Sequence, residues 1–89
     1  MIERDLEIRN KLGLHARAAA KLVHIAARFK SDIKIRKNEK EIDGKSILGI
    51  LLLAATRGST ITVTIDGENE QEAIDAIQKL VDAKFDEVE

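Results

Sequence analysis

TITVTIDGENEQEAIDAIQKLV, residues 60–81, changes its period halfway along. Ile61, Val63 and Ile65 alternate with Thr60, Thr62 and Thr64, which marks a half-buried strand, because successive side chains of a strand point to opposite faces. Asp66-Gly67 closes the strand. Asn69 with Glu72 has the spacing of a capping box, and Ala73, Ile74, Ile77, Leu80, Val81 and Phe85 then trace one face of an amphipathic helix. A strand apolar on one side, followed by a helix apolar on one side, places the helix over one sheet face and leaves the other face wet.

The same pattern extends outward. At the start of the chain Ile2, Leu6 and Ile8 share even positions with Arg4, while Glu3, Asp5, Glu7 and Arg9 fall between them, giving another half-buried strand. NKLG breaks it. Ala16 to Lys30 is rich in helix formers, with Ala19, Val23, Ala26 and Phe29 along one face and Arg28 and Lys30 suited to a helix C-terminus. Ile33 and Ile35 alternate with charges, and a turn around Asn38 returns the chain through Ile42 as a hairpin ended at Gly44. Ser46 precedes ILGILLLAA, residues 47–55, expected as a short, largely apolar helix stopped at Arg57-Gly58. The order is strand, helix, strand, strand, helix, strand, helix: an α+β open-faced sandwich (βαββαβα).

Composition removes several classes of function. The 89 residues read as one domain, 1–89, with no internal repeat or low-complexity tract. Fifteen basic against sixteen acidic residues give a net charge of −1, and the two aromatic residues, Phe29 and Phe85, lie within helical patterns, so nucleic acid is not an expected partner. Without cysteine there is neither a disulfide nor a cysteine-based zinc site, and a reducing, cytoplasmic home is expected. The longest apolar run, Ile50 to Ala55, is far too short to span a bilayer, and MIERD lacks a signal peptide's apolar segment, so neither export nor membrane insertion is expected.

Chemistry is expected on the connections. His15 follows Gly13-Leu14 at the N-cap of the first helix, and Arg17 stands two residues on. A helix N-terminus repels cations and attracts anions, so both residues make sense if an anion joins them there. Phosphate fits best, held by backbone N–H groups and a bidentate guanidinium. Two readings follow: a bound phosphorylated ligand, or a phosphoryl group bonded to the imidazole, which the positive helix end is expected to keep neutral and nucleophilic. A phosphatase-type enzyme ranks below both, since no carboxylate stands out as a general base. His24 lies nine residues from His15, about 180° around the helix axis, so the pair cannot share a metal, and no metal site is expected. Ser46 reads either as a plain N-cap or as a phosphorylation site. Ile47, Leu48 and Leu51 read either as buried or as an exposed apolar patch.

At GLHARAAAKLV (13–23) and KSILGILLLAA (45–55), and over essentially its whole length, the chain resembles the HPr family, the histidine-containing phosphocarriers of the bacterial phosphoenolpyruvate-dependent sugar phosphotransferase system. Gly13-Leu14-His15-Ala16-Arg17 matches the family's active-centre motif and Lys45-Ser46-Ile47 its regulatory serine segment. The resemblance implies a four-stranded antiparallel sheet with three helices on one face. It implies that His15 takes a phosphoryl group on Nδ1 from phospho-Enzyme I and passes it to an Enzyme II A component, as a monomeric carrier without cofactor rather than as an enzyme. Arg17 would neutralise the phosphoryl oxygens, the amides of Ala16 and Arg17 would help to hold them, and Ile47, Leu48 and Leu51 would dock partners. Ser46 would be the substrate of HPr kinase/phosphorylase. One position departs from the pattern: Ala18 stands where the motif usually has proline, which leaves room for a nitrogen-branch or regulatory paralogue.

Overall fold

A computed structural model describes residues 1–87. The elements are β1 (Ile2–Glu7), α1 (Ala16–Ala26), β2 (Asp32–Lys37), β3 (Lys40–Asp43), α2 (Ile47–Leu53), β4 (Thr60–Asp66) and α3 (Glu70–Asp82). The strands form a four-stranded antiparallel sheet in the order β1-β4-β2-β3. Alternation sets the register: Ile33 pairs with Ile65, Ile35 with Val63 and Leu6 with Ile61, so that all six turn to the same face and are buried. α3 lies against β1 and β4, α2 against β2 and β3, and α1 packs on both helices. Arg4 shares the inner face at the edge strand, where its guanidinium reaches Gln78 and Asp75 on α3. Ile8 continues the β1 pairing beyond the strand's end, exchanging backbone hydrogen bonds with Ser59 and Gly58.

Three helix C-termini and one N-terminal cap differ from expectation. α1 ends at Ala26 rather than Lys30, because the N–H groups of Arg28 and Phe29 bond to carbonyls three residues back and tighten the chain into a turn toward β2. Arg28 and Lys30 therefore follow the helix, while Phe29 stays half-buried against the core. α2 ends at Leu53, before Arg57-Gly58, since Ala54 takes the left-handed conformation at φ 52°. The Asn69–Glu72 capping box does not form. Asn69 itself is left-handed (φ 59°) and makes no side-chain cap bond among the described residues, whereas a capping box needs an extended N-cap backbone. Glu70 accepts instead from the Gly67 N–H and the terminal ammonium of Met1, and both donors hold its carboxyl below its ordinary value of 4.5, the ammonium more strongly.

Phe85, expected on the last helix, lies beyond it. Lys84, Phe85 and Asp86 all have positive φ, making a left-handed turn that drops the Phe85 ring into the core at 1% exposure. Such a conformation costs of order 1 kcal/mol or more per non-glycine residue. Burial of a phenylalanine side chain offsets roughly 1.5–3 kcal/mol of that cost, and the Lys21 ammonium donates to the Phe85 carbonyl at 2.9 Å.

Candidate phosphoryl site

Residues 10–14 set the position of the site. Asn10 is fully buried and donates from Nδ2 to the Gly13 carbonyl at 2.7 Å, while the Gly13 N–H returns to the Asn10 carbonyl at 3.2 Å. Gly13 has φ +66°, and a Cβ there would lie 2.5 Å from the Ala55 oxygen and 2.9 Å from Thr56 Cα. Only glycine fits such an approach. The Leu14 N–H then donates to the same Ala55 oxygen at 2.9 Å, pinning the entry to α1 against the chain that leaves α2.

His15 follows as the N-cap of α1, with extended backbone. Its Nδ1 accepts from the Arg17 N–H at 3.3 Å, and its carbonyl accepts from the Ala19 N–H at 2.8 Å. On the other edge of the ring, Nε2 stands 3.2 Å from Glu87 Oε1. The two neighbours agree on one neutral tautomer: a proton on Nδ1 would face the Arg17 N–H and leave the Nε2 lone pair against a carboxylate, whereas a proton on Nε2 satisfies both contacts. The Nδ1 lone pair therefore faces the helix end. The side chain of His15 is 28% exposed, and no acidic residue occupies the first turn of α1.

Arg17 is exposed, and its guanidinium makes no hydrogen bond or ion pair among the described residues. His15, Ala16 and Arg17 line a shallow hollow of about 540 Å³ together with Leu12, Lys21, Phe85, Asp86 and Glu87. A second hollow, along α1, is lined by Arg17, Lys21, His24 and Arg28, a basic strip that Asp86 only partly offsets. His24 is exposed and stands apart from the His15 hollow, and no group of residues among those described could hold a metal. Ala18 lies in the first turn with its methyl group fully buried.

Ser46 caps α2, its Oγ accepting from the Gly49 N–H at 3.1 Å. α2 turns Gly49, Ile50 and Leu53 inward and leaves Ile47 (41% exposed), Leu48 (71%), Leu51 (36%) and Leu52 (65%) in solvent. Thus the apolar run is a patch on one side and core on the other. Sequence reasoning missed Leu52, although four apolar residues spaced i, i+1, i+4 and i+5 around an inward Ile50 and Leu53 would have marked it. It also missed Glu87, which is 72 positions from His15 and follows a backbone reversal that no periodicity encodes.

A family model described as the PTS HPr component phosphorylation site matches residues 2–83. Phosphocarrier protein HPr of Cupriavidus necator is 51% identical over 89 residues, all of both chains, and Phosphocarrier protein NPr of Shewanella violacea is 50% identical over 97% of this chain and 94% of its own. The crystal structure of HPr-C-His from Thermoanaerobacter tengcongensis superposes with a TM-score of 0.96 at 42% identity, covering the whole of both chains.

Proposed function

Because this chain belongs to the HPr family of phosphocarrier proteins, we propose that His15 Nδ1 accepts a phosphoryl group from phospho-Enzyme I and passes it to an Enzyme II A component of a sugar phosphotransferase system. The observation that supports this best is the pairing of a Nδ1 lone pair, turned to the open start of α1, with a guanidinium that has no partner among the described residues. Nδ1 attacks phosphorus as the donor's bond to phosphorus breaks. The oxygens settle against the amides of Ala16 and Arg17, where the helix dipole and the Arg17 charge stabilise them. A shallow hollow open to solvent lets the group be handed on to a second protein. The family is one of carriers rather than catalysts, and the chain acts as a stoichiometric intermediate without a cofactor.

Ile47, Leu48 and Leu51, extended by Leu52, supply apolar docking contacts, and the basic strip on α1 favours partners with acidic surfaces. Ser46 is the substrate of HPr kinase/phosphorylase. A phosphate there would replace the Ser46 hydroxyl cap beside Ile47 and Leu48, adding about two negative charges to the docking surface and weakening the Enzyme I encounter through repulsion and desolvation. The 89 residues work as one cytoplasmic, monomeric domain with protein partners. No helix among the described residues is long and apolar enough to cross a membrane. The near-equal similarity to an HPr and an NPr supports a second version of the same chemistry, in which a nitrogen-branch Enzyme I is the donor.

Incubation with Enzyme I and phosphoenolpyruvate, followed by intact mass measurement, tests this reading. One acid-labile phosphoryl group on the wild type and none on His15→Ala is the expected result. Acid-stable label, or label persisting in His15→Ala, overturns it, and binding of a phosphorylated metabolite without any mass increase would assign the site to a non-covalent regulatory module.

A further inference from the structure

We propose that Glu87 is a positioning residue for phosphoryl uptake, holding the Nε2–H of His15 and balancing the positive charge that the ring gains as Nδ1 bonds to phosphorus; this role rests on the phosphocarrier reading above. Glu87 Oε1 lies 3.2 Å from Nε2, on the edge of the ring opposite the attacking nitrogen, so it can act on the imidazole without occupying the phosphoryl position. The local fold is arranged around that contact. Lys84, Phe85 and Asp86 depart from the right-handed backbone in succession, and the buried Phe85 ring anchors the reversal. Lys21 fastens it to α1 through the Phe85 carbonyl at 2.9 Å and the Asp86 carboxylate at 3.7 Å. The chain is thereby returned over the start of α1, and Glu87 is left with its side chain 11% exposed. Its Oε2 is buried without a hydrogen-bond partner among the described residues. A carboxylate desolvated to that degree is costly unless a partner with donor character uses it, and the donor it meets is the imidazole.

The chemistry gives the contact a purpose. The Nδ1 lone pair forms the N–P bond, the donor's bond to phosphorus breaks, and its electron pair leaves with the donor. No proton has to leave His15, because the tautomer already holds it on Nε2. The neutral ring accordingly becomes an imidazolium in the transition state, and a carboxylate 3.2 Å from Nε2–H is attracted to it more strongly there than to the neutral ring of the resting protein. When the phosphoryl group departs to the acceptor, the ring returns to the neutral tautomer with the same proton in place. A helix-dipole role alone would place Glu87 near the first-turn amides without requiring contact with the ring.

The test compares wild type, Glu87→Ala and Glu87→Gln as substrates of Enzyme I and phosphoenolpyruvate, together with ¹⁵N NMR of the His15 ring in the unphosphorylated proteins. Because the ring is partly exposed and water replaces some of the lost interaction, Glu87→Ala is expected to lower kcat roughly tenfold with KM within about twofold. Glu87→Gln keeps an acceptor oxygen without the charge and should fall between. The Nε2–H resonance of His15 should be visible in wild type and broadened by solvent exchange in Glu87→Ala, with backbone amide spectra otherwise superimposable. An unchanged kcat, a change confined to KM, or equal protection of the Nε2 proton in the alanine variant overturns the proposal. If wild type takes up no phosphoryl group the phosphocarrier reading fails, and the Nε2–H resonance still decides whether Glu87 holds the ring.

Discussion

Gly13→Ala should be among the most destabilising single-methyl changes on the site side of the molecule, and its cost can be worked from two separable effects. The first is backbone strain: at φ +66° an alanine loses about 1 kcal/mol or more relative to glycine. The second is overlap. The new Cβ would stand 2.5 Å from the Ala55 oxygen and 2.9 Å from Thr56 Cα, and neither backbone atom can rotate aside as a side chain could. Relief requires the 10–14 loop and the 54–56 segment to separate, which stretches the Leu14-to-Ala55 hydrogen bond at 2.9 Å and adds roughly 1–3 kcal/mol of overpacking. The total is about 3 kcal/mol, equivalent to a Tm lowered by about 10–25 °C for a domain of this size. Gly58→Ala is the internal control: φ is +88°, yet nothing lies within 4 Å of the added Cβ, so only the strain of about 1 kcal/mol remains. Urea unfolding followed by far-UV circular dichroism gives both values, with midpoints shifted and slopes unchanged. Equal losses in the two variants would refute the close-approach argument, and with it the account of how His15 is placed.

Ser46→Ala removes the oxygen that accepts from Gly49 N–H and should cost about 1 kcal/mol in the same assay; Ser46→Asp, which keeps an acceptor, should retain most of that stability while raising the KM of Enzyme I for this protein. Replacing Leu48 and Leu52 together by serine should change stability by less than about 0.5 kcal/mol per site, because both side chains are largely in solvent, yet raise that KM several-fold with kcat little altered. Glu70 contributes a pH dependence of known sign. Its folded carboxyl is held below 4.5 by the Met1 ammonium and the Gly67 N–H, so its contribution is present above that value and fades as pH falls through the lower folded one. Stability measured from neutrality down to about pH 3 should therefore decline less steeply in Glu70→Gln than in wild type.

What could be read from the sequence was local in origin. Alternation in 60–65 fixes which face of β4 is buried, and Ser46 before an apolar run marks a cap whose geometry the structure reproduces. His15 and Arg17 do stand at the start of α1, as the sequence places them; their conflict with the helix dipole is the sequence ground for proposing an anion there. The parts that were not legible depend on the sign of φ or on distant partners. Asn69 carries a capping residue's side chain, but its backbone is left-handed rather than the extended form that capping uses, and the cap bond is not made among the described residues. Phe85 satisfies helical periodicity and is indeed buried, yet it arrives there through a left-handed turn, so the periodicity identified the right core residue on the wrong element. Glu87 reaches His15 only because that turn reverses the chain.

Whether His15 Nδ1 carries the phosphoryl group is read most directly by ³¹P–¹⁵N NMR of the protein with labelled histidine, after phosphorylation by Enzyme I and phosphoenolpyruvate. One phosphorus signal coupled to Nδ1 of His15 is expected, with the Nε2 proton retained, and it should disappear when an unphosphorylated Enzyme II A component is added. A phosphorus signal coupled to Nε2 or to His24, or one that persists after the acceptor is added, would contradict the phosphocarrier reading.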